Sequence, residues 1–150
     1  MSLVTASIQR LKAIADATVI PLGIPTYLGN PAGQGDLPDA YCAVAYGGDD
    51  RPGVTGARDA RLAYGNDTVG DRWLVWVTIS KASGDVDPIG LLTTVEAAMD
   101  AFDDGIDADH TLGGLLKADG RADVGSHEWI VEDAGNVVTV FFQVDVQRRW

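Results

Sequence analysis

The sequence predicts an α+β fold: a single domain with a mainly antiparallel sheet, two helices packed on one face, and a long hairpin or loop extension. Three observations predict it. Residues 3–18 and 88–104 carry apolar side chains at helical spacing. The stretch from Val137 to Gln147 alternates with a period of two, the signature of a half-buried strand. The predicted strands follow one another through turns, which favours antiparallel neighbours over βαβ crossovers.

Each element has a local reason. Ser2 or Thr5 can cap the first helix by offering a side-chain oxygen to free N–H groups. Val4, Ile8, Leu11 and Ala15 then fall on one face. Pro21, Gly23 and Pro25 stop the helix, and residues 29–39 are turn chemistry throughout. A strand follows at about 40–46, then the loop Gly47-Gly48-Asp49-Asp50-Arg51-Pro52-Gly53. Residues 54–65 are weakly patterned. Residues 72–80 form a firm strand in which Trp73, Val75, Val77 and Ile79 alternate with Leu74, Trp76, Thr78 and Ser80. Both faces carry bulk, so both are expected to be covered. Trp73 and Trp76 are read as packing residues.

Asp87 followed by Pro88 opens the second helix, because aspartate caps and proline needs no N–H in the first turn. Its apolar stripe is Ile89, Leu92, Val95, Met99, Phe102 and Ile106, and Gly105 is expected to end it. Residues 107–126 are rich in loop-forming types, with a short turn expected at 112–117. A hairpin closes the chain, with arms at about 127–132 and 137–147 around Asp133-Ala134-Gly135-Asn136.

Composition narrows the function. The chain has 150 residues, 46% of them hydrophobic and 22% charged, which suits one globular domain and excludes a disordered tail, a fibre or a coiled coil. Acids number 22 against 11 bases, a formal charge of −11 with a pI near 4.3. That balance argues against nucleic acid as a ligand, since phosphates need Lys and Arg, and against an anionic membrane surface. The first residues lack the charged and apolar regions of a signal peptide, and no apolar run approaches the ~20 residues of a membrane helix. The expectation is a soluble, cytosolic chain.

Little in the sequence asks for catalysis. The lone Cys42 lies in an apolar run and reads as a small buried hydrophobe. His110 follows a run of acids and reads as solvated, and His127 reads as a surface or edge residue. No phosphate loop, GxSxG elbow or HExxH motif is present. No catalytic, cofactor-binding or metal-binding residue is assigned, and no cofactor is expected. Residues 103–109 carry Asp103, Asp104, Asp107 and Asp109 but lack the DxDxDG spacing and closing glutamate of a calcium loop.

The charge pattern is more informative. Eight acids and no base lie between Asp85 and Asp109. They read either as a solvated helix face or as one half of an electrostatic interface. The complementary half would be Arg51, Arg58, Arg61 and Arg72, with Arg148, Arg149 and Trp150 at the C-terminal end. These arginines read equally well as surface-loop residues. Asp100, Asp103 and Asp104 are the acids placed opposite them as candidate interface residues. A head-to-tail ring needs two such different patches on each subunit.

The layout resembles the tail terminator (tail-completion, or minor tail) proteins of long-tailed bacteriophages and phage-like particles. The N-terminal helix leads through a Pro/Gly loop to Leu37-Pro38-Asp39-Ala40-Tyr41-Cys42-Ala43-Val44, similar to the family's proline-initiated first strand. A long variable hairpin at about 47–72, the strand Trp73–Ser80, the helix Pro88–Asp104 and a final strand pair with a basic tail complete the likeness. Residues 107–125 fall outside it. The resemblance implies a structural, non-enzymatic virion protein: a six-membered ring on the head-proximal end of the tail tube, assembled in the host cytoplasm. Its partners would be other copies of itself, the tail tube protein and the head–tail connector or neck protein. Genome DNA would pass through the ring without sequence-specific binding, and a negative lumen would not retain phosphates. In this picture the glycines of the 47–72 segment allow a loop that orders on docking. The rival expectations are another head–tail joining protein on the portal side, and an acidic protein-binding module that stays monomeric.

Overall fold

The first helix, α1, spans Leu3–Thr18 in the computed structural model, which describes residues 2–35, 37–61, 69–82, 88–117, 120–132 and 136–149. Ser2 caps it, its Oγ accepting from the Thr5 backbone N–H at 3.2 Å. Ser7, Leu11, Ile14 and Ala15 form its buried row, while Val4 and Ile8 sit half-buried at the rim. Ser7 earns its place in the interior by hydrogen bonding: its hydroxyl donates to the Val4 carbonyl at 2.8 Å and accepts from Trp73 Nε1 at 3.0 Å.

After α1 a short 3-10 turn, Ile20–Leu22, ends at Gly23 in the left-handed region (φ 83°). The turn sends the chain back as β1, Thr26–Leu28, parallel to β2, Ala40–Val44. Then come β3 (Val54–Arg61), β4 (Val69–Ala82), the helix α2 (Pro88–Ala108), β5 (Arg121–Glu132) and β6 (Val137–Arg149). The sheet order is β1-β2-β4-β6-β5, with β3 also paired to β4. Every pairing except β1–β2 is antiparallel. The β4–β6 ladder is the spine, running from Gly70 opposite Arg149 to Ala82 opposite Val137. Along the other edge of β4, β3 pairs with its first half and β2 with its second. The β3–β4 pair falls where the family resemblance implies a long hairpin, but its second arm is continuous with the strand expected at 72–80.

Alternation sorts this spine into two faces. Trp73, Val75, Val77 and Ile79 of β4 and Val138, Val140, Phe142, Val144 and Val146 of β6 are buried towards the helices. α2 supplies Leu91, Val95, Ala98, Phe102 and Ile106 to the same core, and Phe102 meets Phe142 edge-on at 5.7 Å between ring centres. Burying each Val, Leu, Ile or Phe among them contributes about 1.5–3 kcal/mol. The buried row of α2 is turned from the predicted stripe: Leu91 and Ala98 are inside, Leu92 and Met99 are half-buried, and Ile89 is 75% exposed.

Several expectations are corrected. Gly105 does not end α2, which continues to Ala108. A Cβ there would stand 2.8 Å from both Ile14 Cγ2 and Thr18 Cγ2, so this glycine lets the two helices cross closely. β1 and β3 are strands that the pattern does not predict. β5 starts at Arg121, not near 127, because a register shift between Val124 and His127 breaks its alternation. Turns occupy the chain from Asp109 to Leu116. The predicted Asp87 cap and residues 133–135 of the hairpin turn lie outside the described residues.

Candidate assembly surfaces

The sheet face away from the helices is where the chain leaves regular structure. Between β2 and β3, residues 45–53 make an excursion at Trp76. The Tyr46 N–H donates to the Trp76 carbonyl and the Trp76 N–H to the Gly53 carbonyl, both at 2.9 Å. Thr78 Oγ1 donates to the Tyr46 carbonyl at 2.6 Å. The excursion folds over Trp76 and Phe141. A Cβ on Gly47 would lie 2.9 Å from Trp76 Cγ, and one on Gly48 (φ 85°) 3.2 Å from Phe141 Cε1. Gly53 crosses the Ala45 carbonyl so tightly that a Cβ would stand 2.0 Å from its oxygen. These glycines therefore serve close packing in a segment already laid on the sheet, not the loop freedom expected from composition.

Arg51 sits on this segment. Its guanidinium carbon lies 4.7 Å from the Trp76 ring centre and 5.3 Å from that of Phe141, and it forms an ion pair with Glu128 of β5. Tyr46 Oη donates to Asp49 at 3.2 Å. Burial, then the Asp49 charge and that hydrogen bond, push the Tyr46 phenol up to about 12.

Arg72 lies on the same open face, next to the inward Trp73. It grips Asp145 of β6 with two hydrogen bonds, Nε at 3.1 Å and Nη2 at 2.9 Å. That hydrogen bonding and the Asp145 charge hold Arg72 above its ordinary pKa. Arg148 takes the helix side of β6, opposite Asp71, and lines a cleft of about 410 Å³ beside Leu3 and Val4 of the first helical turn. Its Nε is buried without a partner. Arg58 and Arg61 lie in β3 and Arg149 in β6, with only their backbones described; Trp150 lies outside the described residues. The structure thus brings Arg72 and Arg148 to one end of the β4–β6 spine and places Arg51 farther along it.

The acids form a separate surface. Glu96, Asp100, Asp104 and Asp107 are exposed along α2, with Asp103 half-buried among them. Among the described residues, none of the five ion pairs involves these carboxylates. Burial, then the charges of Asp107, Asp104, Asp100 and Asp123, push the Asp103 carboxyl above its ordinary value. Folding therefore favours protonated Asp103, and its ionisation opposes folding at neutral pH. Asp103→Asn is expected to raise the melting temperature at pH 7. The advantage shrinks as pH falls through the folded Asp103 pKa, where the native carboxyl protonates too. Paired thermal melts from pH 7 to 3 check this; an advantage constant across the series would exclude ionisation as its source. Asp16 and Asp109 titrate with the opposite sign. Burial raises each, but hydrogen bonds outweigh it, from Lys12 and Thr26 on Asp16 and from Gly113 and Arg10 on Asp109. Both carboxyls end below their ordinary values, so their support is present above the unfolded pKa and fades as pH falls through the folded one.

The remaining candidates are structural. Cys42 is fully buried, and burial pushes its thiol up to about 12, so it is a core residue. His127 is exposed on β5, an edge strand, and His110 is exposed, its carbonyl accepting from Ala122 N–H at 2.7 Å. Residues 103–108 are helical, so the acidic run is no calcium loop. Asp109 is spent on the turn that follows, accepting from Gly113 N–H at 2.8 Å and pairing with Arg10. Among the described residues, no three His, Cys, Asp or Glu side chains are placed to hold a metal ion, and no helix is long and apolar enough to cross a membrane. Trp73 is a packing residue; Trp76 packs under Arg51.

Sequence reading missed Glu128, Asp145 and Phe141, the residues that engage Arg51 and Arg72. The one available signal was the Phe141-Phe142 pair, which alternation splits between the two faces.

No protein-family profile matches the chain, and no curated protein matches it in sequence. Its fold does have solved counterparts. One is a chain in the virion of native gene transfer agent (GTA) particle. The two align over 97% of this chain and 93% of that one, with a TM-score of 0.54 and 15% identity. At that identity the likeness is one of fold, and it extends from end to end.

Proposed function

We propose that this chain is a structural virion protein of a phage-like particle, and more narrowly a ring-forming tail terminator. It would cap the head-proximal end of the tail tube and join it to the head–tail connector. The observation that carries the proposal is the end-to-end fold likeness to a chain of a gene transfer agent virion. The narrower role rests on the order of elements that resembles the tail terminator family. The surfaces are compatible with it. Acids line the outer side of α2, while Arg51 and Arg72 lie on the opposite layer of the subunit. Two unlike patches on opposite layers suit heterologous, head-to-tail contact, which closes into rings.

The partners in this reading are other copies of the chain, the tail tube protein and the connector. Native mass spectrometry and negative-stain imaging, with and without tail tubes, test it. The expected result is a closed ring of about six subunits, alone or on tube ends. A chain that stays monomeric and ignores tubes would overturn the tail-terminator reading. Reversing Arg58 and Arg61 to glutamate is expected to weaken ring assembly without unfolding the monomer, which sedimentation and a thermal melt of the same sample check together. Rings that persist in this double variant would remove the 47–72 segment from the contact.

A further inference from the structure

We propose that residues 45–53 are a strap latched by Arg51, which ionic strength releases to uncover Trp76 and Phe141. The inference does not depend on the virion reading.

The strap has hinges at both ends and little apolar anchoring between them. One root is Ala45, held at φ 63°, and the other is Gly53, whose contact with the Ala45 carbonyl no side chain would permit. Ala43 and Val44 before the strap and Val54 after it are tied to β4 independently of the strap. Within it, Gly47 and Gly48 lie on the aromatic rings, Asp49, Asp50 and Pro52 are exposed, and Tyr46 is half-buried. Gly47 and Gly48 bring no side chain to bury. Beyond the hydrogen bonds of Tyr46 at its root, the side chain that grips the sheet is the Arg51 guanidinium, stacked over two rings and paired across β6 to Glu128.

Such a grip is weak and tunable. The Arg51 side chain is 32% exposed and that of Glu128 51% exposed, so salt screens their attraction. Stacking on aromatic faces adds a contribution that is less sensitive to salt. Opening at the hinges breaks the backbone hydrogen bonds of the Tyr46 and Trp76 N–H groups and the Thr78 hydroxyl bond to the Tyr46 carbonyl, and leaves β2 and β3 paired to β4. This is local opening below the global unfolding free energy. Its product is a sheet face with two uncovered aromatic rings and a free arm carrying an arginine.

Single-residue amide exchange by NMR tests the latch. In Arg51→Ala the Tyr46 and Trp76 amides are expected to exchange about tenfold faster, while amides of the β4–β6 ladder do not change. Glu128→Gln should give a smaller acceleration. Raising the salt concentration should speed these two amides in the native protein and have little effect in Glu128→Gln. Unchanged exchange at Tyr46 and Trp76 in Arg51→Ala overturns the proposal. So does acceleration that spreads equally through the ladder, which would report global destabilisation. Should Arg51→Ala fail to fold, Glu128→Gln and the salt series decide alone: absence of both effects rejects the latch.

Discussion

Replacing Phe142 with alanine is expected to remove about 3–5 kcal/mol of folding stability, the usual result of deleting a buried aromatic side chain. Phe142 is fully buried in the middle of β6 and meets Phe102 of α2 edge-on at 5.7 Å. The loss has two parts: apolar area is no longer buried, and the cavity left behind has walls that relax only partly. The walls are stiff here, because Val140 and Val144 of β6 and Val77, the residue opposite Phe142 on β4, are β-branched. Urea unfolding of Phe142→Ala, Phe102→Ala and the double variant measures the whole effect and the coupling. The coupling should be about 0.5–1.5 kcal/mol beyond the lost area. Simple additivity would show that the rings do not interact specifically.

Gly105→Leu is expected to destabilise by about 1–3 kcal/mol, although helix propensity alone predicts a gain of about 0.8 kcal/mol. The site is interior to α2, where glycine is normally a poor choice. Its replacement nevertheless drives a Cβ to 2.8 Å from two methyl groups on α1, Ile14 Cγ2 and Thr18 Cγ2. Both belong to β-branched residues with little χ1 freedom in a helix, so neither can swing aside. The helices must move apart, and that loosens Ile14 and Ile106 beneath the crossing. Gly105→Ala should fall between the native protein and Gly105→Leu. A stabilised Gly105→Leu would mean that the crossing is slack and that propensity decides.

The same glycine shows how far sequence carries. Helical spacing and the Ser2 cap predict α1 with its observed limits, and period-two alternation predicts β6. Those signals are local, so no tertiary knowledge was needed. Gly105 was misread because glycine has two uses near the end of a helix: it stops the helix, or it admits a neighbour. Only the position of α1 distinguishes them. β1 was missed for a related reason. It has three residues, and the Cys42 N–H that donates to Pro25 lies far along the chain. The Gly125-Ser126 irregularity hid the first half of β5 by shifting its alternation.

The surface was less legible than the core. Residue types separate the acids of α2 from the arginines, but they do not show that Arg51 and Arg72 share the open sheet face while Arg148 takes the helix side. Their engagement depends on Glu128 and Asp145, which stand 77 and 73 residues from Arg51 and Arg72. Nothing in local composition distinguishes an arginine that reaches outward from one already held.

The placement of β6 also dictates when the fold can form. It lies between β4 and β5, yet it is the final strand in sequence. While the ribosome is still making residues 137–149, β4 lacks its principal partner and β5 lacks the one strand it pairs with among the described residues. α2 lacks the Phe142 surface against which Phe102 packs. The nascent chain can wind α1 and close the β3–β4 hairpin, both local events, but it has no complete sheet on which to lay its helices. Pairing β4 with β6 then closes a loop that includes all of α2 and β5, the kind of non-local step that slows folding. Synthesis must therefore pass residue 149 before cooperative folding begins, and until then the apolar strands stay uncovered.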